Sequence, residues 1–342
     1  MDAHGFRLYD EEDNHYEILR GEKGMASKTE TAGQPVYRFA SSRAKWGFIK
    51  KHMALYLISI PGLVYFLIFK YIPMGGSMIA FQNYNIFKGI ANSPWVGLEH
   101  FQRMFAYPEF MNILKNTLLL GFYDLVIAFP VPIVLALLLS EIRSTGFKRV
   151  VQTVVYMPHF LSWVIVGGIL IGLLSPSTGI VNHILGLFNI EPIYFLGENS
   201  YIRTILISSG IWKDSGWGTI IYLAAIAGIN PDLYEAAEID GAGRFRQVMS
   251  ITIPAIIPTI VILFLLHIGR FMDFGFERVF VFLNPLNSQN GEILDTYVYR
   301  AGLIDRQYSY TTAIGLFKSL VGLLLIGTGN ALSKRATGES LY

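Results

Sequence analysis

Long apolar runs alternate with shorter polar segments along most of this chain. Six of the runs reach the length of about 20 residues that a helix needs to cross a bilayer. They cover residues 53–72, 113–139, 150–174, 201–227, 253–271 and 309–331. Pro158 lies inside the third run, where it predicts a kinked helix. The pattern therefore predicts an all-α integral membrane protein with six transmembrane helices.

The two ends of the chain lack this pattern. Residues 1–45 are polar and mixed in charge, which predicts a disordered tail, and residues 336–342 form a short C-terminal tail. The first long apolar run is internal and long enough to span, so it is not a signal peptide. Met25 follows Gly-Glu-Lys-Gly, whose codons can spell a ribosome-binding site, and it is a second candidate for the true start. The transmembrane domain is expected over residues 46–335.

Cationic residues predict the orientation of the helices, because cytoplasmic loops are enriched in Lys and Arg. The N-terminal flank, the turn at 141–149, the segment after the fourth run and the C-terminus are basic, whereas the loop at 175–200 has no Lys or Arg. Both termini are therefore expected in the cytoplasm. Three arginines oppose this assignment, since they fall in the outer loop at 272–307: Arg278, Arg300 and Arg306.

Composition narrows the possible functions further. Charged residues make up 15% of the chain, against about 25% in soluble domains, and the net charge of +2 does not favour nucleic acid as a partner. There is no cysteine, and the seven histidines show no metal-ligand spacing, so no metal site is expected. The sequence also lacks a glycine-rich phosphate-binding motif. The chain is thus expected to bind neither ATP nor another cofactor.

A charged segment rich in small residues separates the fourth and fifth apolar runs. We call this segment, residues 230–254, the elbow. Asn230 is a favourable N-cap and Pro231 suits the first helical position, while acidic residues in the first turn complement the helix dipole. The helix is expected to end at Gly241, where a residue without Cβ turns freely, and a second helical segment should follow.

The elbow resembles the cytoplasmic signature loop of binding-protein-dependent ABC importer permeases. The residues that match, or lie within, that motif are Glu235, Ala236, Ala237, Asp240, Gly241, Ile251 and Pro254. Ile253 stands where the motif usually has Leu. Three further stretches resemble the carbohydrate branch of the family, namely WKDSGWGTIIYLAAIAGINPDLYEAAEIDGAG, MPHFLSW at 157–163 and LDTYVYRAGL at 294–303. The resemblance covers most of the chain from about Trp46 onward.

This resemblance implies a type I ABC importer permease bundle in the bacterial plasma membrane, with the elbow as its coupling helix. Such a chain is a transport subunit that carries oligosaccharides and has no catalytic activity. The implied protein partners are a second homologous permease, two ATP-binding subunits and an extracytoplasmic solute-binding protein. The other implied partners are membrane lipid and an oligosaccharide substrate.

Two roles remain open for Glu235. Its carboxylate can meet a cation on an ATP-binding subunit, while Ala236 and Ala237 let the helix lie close inside a groove of that partner. Motion of the partner would then move the elbow and the attached spans together. Alternatively, Glu235 serves only the dipole of its own helix.

Ionisable residues inside apolar runs are the second functional signal. Because charges are costly in lipid, these side chains are expected to face the bundle interior or a watery cavity. Lys213 and Asp214 lie among glycines, near Trp212 and Trp217, which makes them candidates for a sugar path. A salt bridge between helices, with interfacial tryptophans, explains them equally well. The other candidates are Asp124, Arg270 and Asp273; for the last two, contact with lipid headgroups is the favoured alternative.

Lys213 also bears on the substrate. Asp214, its neighbour on a helix, is expected to point about 100° away, so a partner for Lys213 should come from another helix or from the ligand. The branch that the chain resembles includes importers of uronate-containing oligosaccharides. The sequence therefore leads us to expect an acidic oligosaccharide, with Lys213 near its path.

Two other classes of protein fit the sequence less well. A secondary transporter would use Asp124 and Lys213 as coupling residues, but we find no internal repeat, and the elbow has no role in such a protein. A membrane-embedded enzyme would need a clustered nucleophile or metal site, which the sequence does not suggest.

Overall fold

The computed structural model describes residues 52–338, so most of the N-terminal segment, Met25 included, and residues 339–342 lie outside it. Regular structure in the described range is helical apart from an isolated antiparallel bridge between Gln82 and Trp95. This confirms the prediction of an all-α protein. The chain divides into two compact units, one ending at Gly76 and the other beginning at Ser77.

The α-helices of residues 52–338, in chain order, are α1 (Met53–Phe66), α2 (Ile72–Met74), α3 (Gly89–Asn92), α4 (Glu99–Ala106), α5 (Pro108–Tyr123), α6 (Pro130–Ser140), α7 (Thr145–Tyr156), α8 (Trp163–Leu173), α9 (Ile180–Leu187), α10 (Ile202–Ala227), α11 (Asp232–Ile239), α12 (Arg244–Gln247), α13 (Ile253–Gly269), α14 (Phe276–Phe280), α15 (Ser288–Gly291), α16 (Leu294–Tyr299) and α17 (Tyr308–Thr337). Segments of 3₁₀-helix occupy Gly75–Phe81 and Met157–Phe160, and π-helical turns occupy Leu67–Tyr71, Asp124–Ala128, Val248–Thr252 and Arg300–Ile304.

Four helical stretches in the described range are long and apolar enough to cross a membrane. They are Met53–Phe81, Pro108–Ser140, Arg244–Gly269 and Tyr308–Arg335, which correspond to the first, second, fifth and sixth predicted spans. A bent pair of helices makes a fifth if it is counted as one span. The fourth predicted span forms α10, a helix of 26 residues that is less apolar because it contains Arg203, Lys213 and Asp214.

The third predicted span is not a single kinked helix. The stretch Thr145–Phe160 and the following helix, which begins at Trp163, differ in direction by 105°. Ser162 caps the second helix, since its Oγ accepts a hydrogen bond from the Ile165 N–H at 3.3 Å. The predicted kink at Pro158 was therefore too mild, because a new N-cap starts a new helix whereas a proline alone usually bends one.

The long helix α10 lies at the centre of the second unit. It packs against α6, α7 and α13, and its buried positions include small and polar side chains. A Cβ on Gly216 would lie 2.1 Å from the carbonyl oxygen of Val155, so glycine is needed for this close approach. Close packing therefore places the polar groups of α10 within reach of partners on neighbouring helices.

Candidate functional site

The first helix of the elbow begins nearly where its sequence predicts. Pro231 occupies the N-cap position, one residue later than expected, and α11 starts at Asp232. Asn230 still supplies a capping interaction, because its Oδ1 accepts a hydrogen bond from the Asp232 N–H at 3.1 Å. The predicted cap is therefore displaced by one position, with its hydrogen bond retained.

The predicted break at Gly241 is confirmed. Gly241 has a φ of 73°, in the left-handed region that residues with a Cβ rarely adopt. Its N–H donates to the Glu238 carbonyl at 3.0 Å, and the Ala242 N–H donates to the Ala237 carbonyl at 2.8 Å. These two bonds form a Schellman motif, which satisfies the last carbonyls of α11 and fixes the turn into α12.

The elbow exposes large apolar side chains among its charges. Ile239 is 87% exposed, Phe245 is 75% exposed and Leu233 is 51% exposed. The candidate coupling residues Glu235, Ala236, Asp240, Gly241 and Pro254 are also exposed, while Ala237 and Ile251 are partly buried. Exposed apolar groups rimmed by polar residues are typical of a surface that contacts another protein. The individual roles of the coupling residues stay predictions.

Two side-chain contacts join the elbow to the helices around it. The Tyr234 hydroxyl lies 2.9 Å from the Thr252 hydroxyl, which connects α11 to the entry of the next span. Arg244 Nη1 lies 3.4 Å from Glu141 Oε2, just after the end of α6. The elbow is thereby joined to more than one helix.

The second feature is an open cavity of ≈ 550 Å³ in the second unit. Its walls come from α5, the π-helical turn after it, α6, α10, α13 and the segment at 270–278. The charged or titratable side chains that line it, apart from tyrosine, are Asp124, Asp214, His267, Arg270, Asp273 and Arg278. The structure thus brings four of the predicted path candidates together, namely Asp124, Asp214, Arg270 and Asp273, and leaves Lys213, Trp212 and Trp217 outside the lining.

Asp124 is held by two cationic or titratable partners. Arg278 Nη1 donates to Asp124 Oδ1 at 3.1 Å, and His267 Nε2 lies 3.1 Å from Asp124 Oδ2. The backbone at Asp124 is a π-helical turn, in which the Phe129 N–H donates to the Asp124 carbonyl at 2.9 Å. Pro130, which has no N–H, follows this turn. Asp124 therefore serves to bind Arg278 within the bundle.

Lys213 has partners inside the protein. Its Nζ donates to the His159 carbonyl at 2.8 Å and lies 3.6 Å from Asp214 Oδ1. The expectation that a partner for Lys213 comes from another helix is confirmed by the His159 carbonyl. The additional contact with Asp214 was not expected; the four methylene groups of lysine let the ammonium reach it. The same ammonium lies 5.5 Å from the centre of the Trp163 ring. Lys213 thus caps the carbonyl end of the helical stretch before the 105° bend.

The two candidate tryptophans lie in different surroundings from those of the charged residues. The Trp217 ring stacks on the His159 ring, with centroids 4.7 Å apart and planes 7° from parallel. His159 Nδ1 in turn lies 3.0 Å from Asp214 Oδ1. Trp212 is 45% exposed. Trp217 therefore fixes His159 in the segment before the bend, while Trp212 faces outward.

Arg270 and Asp273 follow the C-terminal end of α13. Both line the cavity, and both are exposed. Asp273 Oδ1 lies 3.5 Å from Lys318 Nζ, and this ammonium also forms an ion pair with Asp295. Asp273 thus has an internal partner, rather than only the lipid headgroups that the sequence suggested.

Arg278 is the principal site residue that sequence reasoning missed. It is 7% exposed, and its guanidinium donates to the Leu206 carbonyl through Nε at 2.9 Å and through Nη2 at 2.6 Å. A Cβ on Gly210 would lie 2.1 Å from Nη2, so the glycine makes room for the guanidinium. The sequence signal that could have identified Arg278 was its conflict with the positive-inside rule, since a cation in a predicted outer loop needs a local partner.

Arg300 is the second arginine that conflicts with the positive-inside rule, and it too has local partners. Its Nε donates to Glu292 Oε1 at 3.0 Å, and Nη2 donates to Glu109 Oε1 at 2.6 Å. The hydrogen bond to Glu292 is the main cause that raises the pKa of Arg300 above its ordinary value. The positive charge is therefore balanced locally by two carboxylates, whereas Arg306 is exposed.

We predict that Lys213→Met lowers the free energy of unfolding by about 1–3 kcal/mol, because the His159 carbonyl loses its donor. Unfolding of the purified protein in detergent, induced by heat or by dodecyl sulfate, measures this change. Lys115→Met is the matched control, since Lys115 is exposed and lies outside the cavity. Equal stability of the two variants would contradict a structural role for Lys213.

Comparison with known proteins identifies the family to which this chain is similar. Residues 106–338 match the family of binding-protein-dependent transport system inner membrane components. The polygalacturonan/rhamnogalacturonan transport system permease protein YteP of Bacillus subtilis (strain 168) is 51% identical over 288 residues, which cover 84% of this chain and 90% of the relative. The protein LplB of the same organism is 46% identical over 313 residues, which cover 91% of this chain and 96% of the relative.

Solved structures show the same fold. A bacterial ABC transporter involved in the import of the acidic polysaccharide alginate matches with a TM-score of 0.80 and 41% identity, covering 86% of this chain and 99% of the solved one. A bacterial alginate ABC transporter in complex with an alginate pentasaccharide-bound periplasmic protein gives a TM-score of 0.81 at 40% identity, with the same coverage. These matches confirm the resemblance carried by the elbow. The chain therefore belongs to the binding-protein-dependent transport system inner membrane components, and it is an inner-membrane permease of the carbohydrate ABC importer type.

Proposed function

We propose that this permease forms part of a pathway for acidic oligosaccharides, and that ATP hydrolysis on separate subunits drives the import through the elbow. The observation that carries the proposal is the geometry of the elbow. A helix closed by a Schellman motif exposes Ile239 and Phe245, and it connects α10 to α13, which both line the cavity. A partner that binds and moves this surface can thereby change the shape of the cavity.

The proposed topology has six spans with both termini in the cytoplasm. The bent pair Thr145–Phe160 and Trp163–Leu173 supplies the third span, and α10 supplies the fourth. At a rise of 1.5 Å per residue, the 26 residues of α10 extend over about 39 Å, which exceeds the bilayer core of about 30 Å. Its charged side chains are tolerated because Lys213 is buried among neighbouring helices and Asp214 faces the cavity.

The proposed complex contains a second homologous permease, two ATP-binding subunits and an extracytoplasmic solute-binding protein. The solved alginate transporter in complex with a periplasmic protein supports the last of these partners. The exposed surface of the elbow supports the proposal that ATP-binding subunits are partners. This chain itself is proposed to need no cofactor and to catalyse no reaction.

The proposed substrate class rests on the chemistry of the relatives. YteP is described as a polygalacturonan/rhamnogalacturonan transport permease, and alginate is an acidic polysaccharide. Galacturonate and the sugars of alginate carry a carboxylate on each uronate unit. An oligosaccharide with such carboxylates is the substrate that we assign to this permease.

The alternative of an ion-coupled transporter has less support. Its coupling residues would be Asp124 and Lys213, yet Asp124 is paired with Arg278 and Lys213 donates to the His159 carbonyl. Both side chains are therefore engaged by groups of the protein and are not left free to bind a coupling ion.

Uptake by proteoliposomes that contain the assembled transporter separates the two mechanisms. We expect import of an oligogalacturonate to require internal ATP and the solute-binding protein, and to continue when ionophores collapse all ion gradients. Import that persists without ATP and stops with ionophores would contradict the proposal. Absence of ATP-driven uptake for every oligosaccharide tested would contradict it as well.

A further inference from the structure

The charges on the cavity wall are nearly all paired with one another. Asp124 forms ion pairs with Arg278 and His267. Asp214 lies near Lys213 and His159, and Asp273 lies near Lys318. The charge of each of these groups is therefore largely balanced by a neighbouring group of the protein.

Arg270 is the exception among the described residues that line the cavity. Its guanidinium forms no ion pair within residues 52–338, and its side chain is exposed. Its backbone N–H donates to the His267 carbonyl at 3.0 Å, which fixes the start of the side chain at the end of α13. The partial negative charge at a helix C-terminus amounts to roughly half an elementary charge, so it does not neutralise the arginine.

The surroundings of Arg270 strengthen its attraction for an anion. Aromatic and aliphatic side chains line the rest of the cavity, among them Phe129, Phe271, Phe274, Leu263 and Leu266. These apolar walls offer no competing charge, so Arg270 is the cation without an ion pair within residues 52–338 that an acidic ligand would meet in the cavity. A guanidinium binds a carboxylate through two parallel N–H···O bonds, and the aromatic faces are suited to pack against sugar rings.

We infer that Arg270 is the specificity-determining residue of this permease and binds a uronate carboxylate of the oligosaccharide in the cavity. The inference rests on the proposed function and deepens it, because it assigns recognition of the acidic group to one side chain. It also assigns that role to Arg270 instead of Lys213, whose ammonium already has partners in the protein.

The test compares two ligands on the purified transporter complex without its solute-binding protein. One ligand is an oligogalacturonate, and the other is the same oligomer with its carboxylates reduced to alcohols. We expect the wild type to bind the acidic ligand more tightly. Arg270→Gln should weaken binding of the acidic ligand by roughly tenfold or more, since a charge-assisted pair is lost, and should leave binding of the neutral ligand unchanged.

Two further variants complete the experiment. Arg270→Lys keeps the charge but loses the planar fork, so its affinity for the acidic ligand should lie between those of the wild type and Arg270→Gln. If Arg270→Gln does not insert, Arg270→Lys alone decides the question. Lys115→Gln is the matched control, because it removes an exposed cation that does not line the cavity.

The outcomes for the inference and for the proposed function are distinct. Equal affinity of wild type and Arg270 variants for the acidic ligand, or equal losses for both ligands, would overturn the assignment of Arg270. Equal affinity of the wild type for both ligands would overturn it too. None of these results would affect ATP-driven uptake by the wild type, which is the measurement that decides the proposed function.

Discussion

Gly241→Pro is expected to reduce ATP-driven uptake by about an order of magnitude or more while the protein remains inserted in the membrane. Proline fixes φ near −65°, about 140° from the value of 73° at this position, and it removes the N–H that donates to Glu238. Backbone strain of this kind costs about 1–3 kcal/mol, and 1.4 kcal/mol is equivalent to a factor of ten. The exposed face of the elbow should therefore lose the geometry that its partner binds.

Gly243→Ala is the matched control for this variant. Gly243 has φ −67° and ψ 164°, which any residue adopts, and a Cβ there would meet nothing within 4 Å. We expect normal uptake from the control. The measurements are uptake by proteoliposomes and co-purification of the ATP-binding subunit with each variant. Full uptake by Gly241→Pro would show that the elbow does not couple ATP hydrolysis to transport.

Arg278→Met is expected to lower the free energy of unfolding by about 3–5 kcal/mol, because removal of one partner leaves the other charge of a buried pair uncompensated. The side chains of Arg278 and Asp124 are only 8% and 20% exposed. The substitution also removes both donors to the Leu206 carbonyl. Dodecyl sulfate unfolding of the purified protein measures the change.

A second substitution tests the cause of this loss. The double variant Arg278→Met, Asp124→Asn should recover part of the stability, because it removes the charge that the single variant leaves unpaired. Arg306→Met is the control, since Arg306 is exposed in the same loop at 272–307 and should change stability by no more than about 0.5 kcal/mol. Similar stability of Arg278→Met and Arg306→Met would contradict the role of Arg278 as a buried charge partner.

Local signals in the sequence predicted the elbow well. Asn230, Pro231 and Gly241 each act through backbone geometry within a few residues, so their effects can be deduced from residue type and spacing alone. Four of the six apolar runs were predicted equally well, because the length and composition of a run suffice to identify a helix able to span a membrane. The break at Ser162 was missed because Pro158, four residues earlier, gave a plausible but weaker cause for a bend.

The cavity could be predicted only in part, because its charges are paired across long sequence separations. Asp124 and Arg278 are 154 residues apart, and nothing in either local sequence identifies the other as its partner. The charge on Lys213 was noticed, but the reach of its side chain to the His159 carbonyl depends on how α10 packs. Arg270 stands out as lacking an ion pair within residues 52–338 only after the neighbouring charges have been assigned their partners.

The length and rigidity of α10 have a mechanical consequence. The elbow begins within a few residues of the end of α10, and the same helix lines the cavity and holds the segment before the 105° bend through Lys213. A rod of about 39 Å that tilts by about 5° moves its far end by about 3 Å. If a partner displaces the elbow as proposed, we expect a rigid α10 to carry that displacement to its opposite end without any change in its internal hydrogen bonding. Under the proposed coupling, α10 would act as a lever, and its close glycine contacts with neighbouring helices would be the fulcrum.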